Sequence, residues 1–282
     1  MQKLFELFST REIAFLTWLI IGLLAMTFGA DIRKAMVGVL KALFGRKIFS
    51  ILLLMSLYVT AVVLLLWKVR FWDTYLFKDT VFWFFSFAIV TFFSINKAED
   101  NSFFKSLVGD CFKWMLFIEF FVNFYTFSLT TELIMFPIIV FIALIQAFSK
   151  TDNKYELVTK LFTNILALIG TLYFVYALYK TIVEYNVLFT TQNLFSLLLP
   201  IILTLALLPF LYSLALYMKY ETLFVRVQFM SNNKDKTSKL KRAIFRTAKL
   251  NLSKLKTIEK RLNKIDFYRS NDIDEYVRHL VQ

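Results

Sequence analysis

The chain has 282 residues, 59% of them hydrophobic and 19% charged, with a formal net charge of +13. That charged fraction falls below the roughly 25% of soluble domains, and the mean hydropathy of +0.63 points away from a soluble fold. A single cysteine, Cys111, excludes an internal disulfide and a thiolate metal framework, and the lone His279 removes most histidine-based ligation or catalysis. No cofactor and no metal are expected.

Seven apolar stretches approach the roughly 17–25 residues a helix needs to cross a hydrocarbon core of about 30 Å. They are 13–30, 48–67, 80–96, 114–129, 133–149, 161–179 and 195–218. The pattern predicts an all-α integral membrane protein, with a transmembrane bundle over 1–218 and a basic helical tail over 219–282. Six glycines and three prolines leave little irregular backbone.

After the first stretch, residues 32–47 place Ile32, Met36, Val39, Leu40 and Leu43 at helical spacing, with Lys34 and Lys41 across from them. This is a basic amphipathic helix, and Arg33, Lys34, Lys41, Arg46 and Lys47 suit it to an anionic leaflet surface. A passive elbow between two spans is the plainer alternative. The stretches 114–129 and 133–149 read as a hairpin around Thr130, Thr131 and Glu132, with Glu132 solvated at its tip. Pro137 falls near the start of the fifth helix, where a missing N–H costs little.

Glu119 sits inside the fourth stretch, roughly 10 Å from Phe112 at 1.5 Å per residue. Asn123 and Thr126 follow on the same stripe. A carboxylate in hydrocarbon costs at least a few kcal/mol, so Glu119 is expected to be protonated, hydrogen-bonded to Asn123 or neighbouring hydroxyls, or in touch with water. One reading is an interhelical hydrogen bond; the other is a polar pathway or proton site with Ser56, Thr60, Ser86 and Gln146 as companions. Pro200 and Pro209 in the last stretch each permit a kink.

The tail opens as a continuation of the last span, KYETLFVRVQFM, and breaks at SNNKDK. Leu240, Ile244, Ala248, Leu252, Leu255, Ile258, Leu262 and Ile265 then recur at three- and four-residue steps, a narrow docking seam on a lysine-rich helix. A last short helix carries Ile273, Tyr276, Val277 and Leu280 after Ser270 and Asn271. About 60 residues bury little alone, so the seam is expected to pack on a sister subunit, on membrane-proximal loops or on a cytosolic protein partner. Base-stacking aromatics are few in the tail, which disfavours nucleic acid as its ligand.

Basic residues orient the chain. With the N-terminus outside, 27 of the 33 Lys and Arg fall in inner segments and 6 in outer ones; without the tail the division is still 11 against 6. Lys and Arg gather on the cytoplasmic side, so the expected location is the inner (plasma) membrane with the C-terminus cytoplasmic. Trp67, Trp72, Tyr75 and Trp83 cluster at one outer surface, as indole rings do at headgroup level.

No lysine lies in 195–218 to carry a retinal Schiff base, and no receptor motif follows the third span. Phosphate loops and nucleophile elbows are also missing from the sequence. The expectation is a non-enzymatic, channel-like or membrane-effector subunit that docks a partner or sister copies through its tail. The outline resembles that of membrane subunits in bacterial defence systems. The alternative is a proton- or cation-coupled transporter using Glu119.

Overall fold

The computed structural model describes residues 8–98, 100–111, 122, 124–184, 190–230, 233–262 and 273–280, and no strand forms among them. Among the described residues, six helices are long and apolar enough to cross a membrane. They are α1 (Thr10–Phe28), α3 (Arg46–Lys68), α4 (Thr74–Lys97), α6 (Leu129–Ser149), α7 (Glu156–Val183) and α8 (Thr191–Met230). Between and after these come α2 (Ala30–Leu43), α5 (Asn101–Cys111), α9 (Lys234–Ala248), α10 (Leu252–Arg261) and α11 (Ile273–His279). Six of the seven expected stretches therefore coincide with these helices. Most of the remaining one, 114–129, lies outside the described residues.

The hydrophobic surface is turned outward. In α1, α6 and α7 only 6% of the most apolar window is buried, and Ile20, Leu24, Phe141 and Leu168 are each more than half exposed. A soluble protein rarely shows a continuous apolar surface of this extent, and six such helices among the described residues are compatible with a multi-pass membrane protein.

The chain divides into two compact units, 1–57 with 113–197 and 58–112 with 198–282. In the first, Ser9 caps α1 through a reciprocal pair with Glu12, the Glu12 N–H donating to Ser9 Oγ at 3.3 Å and the Ser9 N–H to Glu12 Oε2 at 2.8 Å. Helices α1 and α6 run parallel: the Thr10 hydroxyl donates to the Phe127 carbonyl (2.7 Å), and Trp18 Nε1 donates to the Leu133 carbonyl (2.8 Å). Helix α7 returns antiparallel to α6. Gln146 Nε2 donates to Thr163 Oγ1 (2.7 Å) near one end, while Phe127 stacks on Tyr176 at 4.1 Å at the other. No residue of α2 is buried, and Gly29 alone joins it to α1.

The second unit is built on α8. Leu199, Leu203, Leu207 and Leu211, one per turn, are each at most 1% exposed. Tyr58 Oη in α3 donates to the Ala206 carbonyl (2.8 Å), and Trp83 Nε1 in α4 donates to Thr204 Oγ1 (3.0 Å). Helix α4 is composite, with a π-helical turn at Phe84–Ala88 between α-helical segments. Asn101–Cys111, between two of the apolar stretches, forms α5 and packs along α8. Phe104 meets the Tyr212 ring edge-on at 5.1 Å, and Cys111 hydrogen-bonds Thr204.

The tail departs from expectation in one respect. The run from Leu240 to Ile265 is not a single helix. It breaks after Ala248 into α9 and α10, because Lys249 adopts φ 48° and Asn251 caps the next helix, its Oδ1 accepting the Lys254 N–H at 3.1 Å.

Candidate functional site

In the first unit, polar chemistry gathers where α1, α6 and α7 end together. Glu132 is only 3% exposed, which overturns its expected place as a solvated hairpin residue. The hairpin connection is instead the non-helical stretch 125–128, where Ser128 Oγ caps α6 by accepting the Thr131 N–H at 3.3 Å. Glu132 lies in the first turn of α6, where the helix dipole favours a carboxylate.

Its counter-ion is Arg11, in the first turn of α1. Arg11 Nη2 donates to Glu132 Oε1 at 3.0 Å and Nε donates to Oε2 at 3.3 Å, a two-point fork. Nη1 donates to the Val122 carbonyl at 2.7 Å. The guanidinium carbon lies 4.9 Å from the centre of the Tyr173 ring, within cation–π range. Glu132 Oε1 also accepts the Phe127 N–H at 3.2 Å. One ion pair thus ties the starts of α1 and α6 and the connecting loop, with Tyr173 of α7 against the guanidinium. Beside it Tyr125 packs with Ala177, and Tyr125 Oη donates to the Glu184 carbonyl at 3.3 Å.

Of the expected pathway residues, Glu119 and Asn123 lie outside the described residues. Thr126 hydrogen-bonds Thr10 at 2.7 Å beside the Arg11–Glu132 pair. Gln146 sits seventeen residues beyond Leu129, about 26 Å along α6, so the first unit does not bring these two together. Ser56, Thr60 and Ser86 are exposed; Ser56 donates to the Leu52 carbonyl (2.9 Å) and Ser86 to that of Phe82 (2.7 Å), each within its own helix. Pro200 and Pro209 lie inside α8, which runs unbroken through both. Of the basic residues expected on one amphipathic helix over 32–47, Arg33, Lys34 and Lys41 lie on α2, whereas Arg46 and Lys47 begin α3, because α2 ends at Leu43.

The second polar assembly fastens the tail to α8. Leu240, Ile244, Leu252, Leu255, Ile258 and Leu262 are each at most 1% exposed, so the described seam is already covered by the chain itself; Ile265 lies outside the described residues. Helix α9 packs against α10 and α11, and Leu223, Val227 and Met230 in the distal half of α8 are buried as well. Arg226 of α8 donates to the Glu259 and Leu262 carbonyls at 2.7 and 2.8 Å, satisfying the open end of α10. Lys219 pairs with Glu259 at 3.1 Å. Tyr212 Oη donates to the Leu250 carbonyl and Tyr220 Oη to that of Lys249, both at 2.6 Å.

Lys256 bonds Asp100 at 2.8 Å, just before α5. That bond, with help from Ser102, holds the Asp100 carboxyl well below its ordinary range. The tyrosines and Arg226 carry no sequence motif, and only their spacing along α8 hints at a face turned to the tail.

No family model, no curated protein and no solved structure matches this chain.

Proposed function

We propose that the chain is a multi-pass inner-membrane protein, a channel-like or membrane-effector subunit without enzymatic activity, whose cytoplasmic tail conveys the binding of a protein partner or sister copy to its last span. Seven crossings, with the N-terminus outside, is the topology favoured. Parallel α1 and α6 require an odd number of crossings between them, and α3 and α4 account for two. The excess of basic residues on the tail side supports the orientation.

The observation that carries the functional reading is α8. It is one helix from Thr191 to Met230, with the tail fastened along its distal half by Tyr212, Tyr220 and Arg226. A force applied to α9 and α10 therefore acts on the same helix that forms the last span. Since the seam is filled from within, a partner meets the outer face of the tail, where Lys236, Lys239 and Arg242 are exposed.

The test is membrane potential in bacterial cells expressing the full chain, the inserted fragment 1–230, or Lys239→Glu with Arg242→Glu. Depolarisation by the full chain, lost in the fragment and reduced in the charge variant, is expected. Equal potentials in cells with the full chain and with the fragment refute the reading.

A further inference from the structure

The turn between α9 and α10 is built against its own convenience. Lys249 holds φ 48° and ψ −120°, a region that side chains with a Cβ rarely adopt, and the turn presents Leu250 at 74% exposure with Phe245 at 58%. Two tyrosines of α8 hold its successive carbonyls at 2.6 Å each. Those tyrosines fix the level of the turn. Residues 194–218 of α8 carry no charge and Lys219 is the first, so Tyr212 and Tyr220 bracket the edge of the apolar run. The exposed leucine therefore stands where hydrocarbon gives way to headgroups, a zone in which tyrosine rings are at home.

Next to it lies an open groove of about 350 Å³ lined by Asn101, Phe104, Lys105, Val108 and Tyr212. Its walls are mostly apolar and its charged group is Lys105. Tyr212 belongs to both features: it lines the groove and holds the Leu250 carbonyl. The Lys256–Asp100 bond pins α10 to the residue just before α5, whose first turns line the groove.

We propose that this groove and the Lys249–Leu250 turn form a seat for an anionic phospholipid of the leaflet that faces the tail. Lys105 and Lys249 meet the phosphate, the groove takes the start of an acyl chain, and Leu250 and Phe245 enter the leaflet beside it. Apolar tips flanked by lysine are what binds a protein segment into an anionic interface. The lipid would brace the tail against the last span, and so the seat rests on the membrane reading above.

The full-length protein in detergent with phosphatidylglycerol and phosphatidylcholine is examined by native mass spectrometry. Retention of phosphatidylglycerol at activation energies that strip phosphatidylcholine is expected. Lys105→Glu with Lys249→Glu should lower that retention at least tenfold, whereas Lys234→Glu with Lys260→Glu, at two other exposed lysines of the tail, should leave it unchanged. Equal retention of the two lipids, or no loss in the first variant, overturns the proposal.

Because charge reversal can disturb folding, a second reading uses Leu250→Cys in a Cys111→Ser background, labelled with an environment-sensitive dye. In phosphatidylglycerol vesicles its emission should shift blue and be quenched by brominated acyl chains. Aqueous emission overturns the seat, as does efficient self-crosslinking, which would make the occupant a second copy. Resistance of the same protein to alkaline extraction is checked first. Failure there strikes the membrane reading, whereas failure only at the dye or the lipid strikes this site.

Discussion

The bundle of α1, α6 and α7 and the module of α9 to α11 arrange the same residue types in opposite ways. In the bundle, leucine, isoleucine and phenylalanine point outward while Arg11 and Glu132 are turned in against each other. In the tail module, the seam leucines and isoleucines from Leu240 to Leu262, the turn residue Leu250 apart, are sealed at 0–1% exposure while most lysines face out. An apolar exterior is compatible with lipid around the bundle, and a sealed seam under lysines with water around the tail. Lipid tails are as apolar as leucine, so apolar contact alone does not drive helices together there, and polar bonds, aromatic contacts and close packing must do so. Water does reward burial of a seam, at about 25 cal/mol per Å².

The largest expected effect comes from breaking the bundle's ion pair. Glu132→Ala leaves the Arg11 guanidinium without its carboxylate, and should destabilise by about 3–5 kcal/mol, the range for removing one partner of a buried pair. Thermal unfolding in detergent measures it. Replacing both residues by methionine sharpens the point, since it removes the stranded charge and should recover most of the loss. If Glu132→Ala unfolds like the parent, the pair does not hold the helix ends together.

The seam gives the counterpart. Leu255→Ala should cost about 2–5 kcal/mol, seen as tail proteolysis at lower temperature while the bundle's own transition stays in place. A simultaneous loss of both transitions would mean that the two parts are not separately stabilised. Arg226→Lys is smaller, at about 1.5–3 kcal/mol for hydrogen bonds made by a charged group, because a single ammonium cannot serve both the Glu259 and Leu262 carbonyls in the same geometry. It should appear as faster amide exchange at the end of α10.

The weakest is the Lys256–Asp100 bond. The folded protein holds the Asp100 carboxyl below its ordinary range, so its contribution is full above the unfolded value of about 3.9 and is lost as pH falls below it toward the lower folded value. Tail protection should be flat from neutral pH down to about 4 and decline below. Asp100→Asn should flatten that decline; an unchanged acid profile would assign it to other carboxylates.

Much of this comparison was legible in the order of residues. Hydropathy placed six of the helices, the SNNKDK break fell where α8 ends at Met230, and the periodicity from Leu240 to Leu262 marked the side chains that are buried. The Arg11–Glu132 pair was not legible, because its members are 121 positions apart and each looks like an ordinary charge at the edge of an apolar run. The turn at Lys249 was hidden too: the apolar spacing continues across it, so periodicity alone reads one helix, and only the Asn251 cap signals two.

Sequence by itself thus determined the helical class, the apolar stretches and the excess of positive charge at one end, since these depend on local spacing and composition. Tertiary structure decided which charges neutralise each other, that the tail folds onto α8 rather than leaving its described seam open, and that α5 packs along a span. Those outcomes depend on which distant surfaces meet, and in an apolar chain many surfaces look alike until one buried polar contact selects among them.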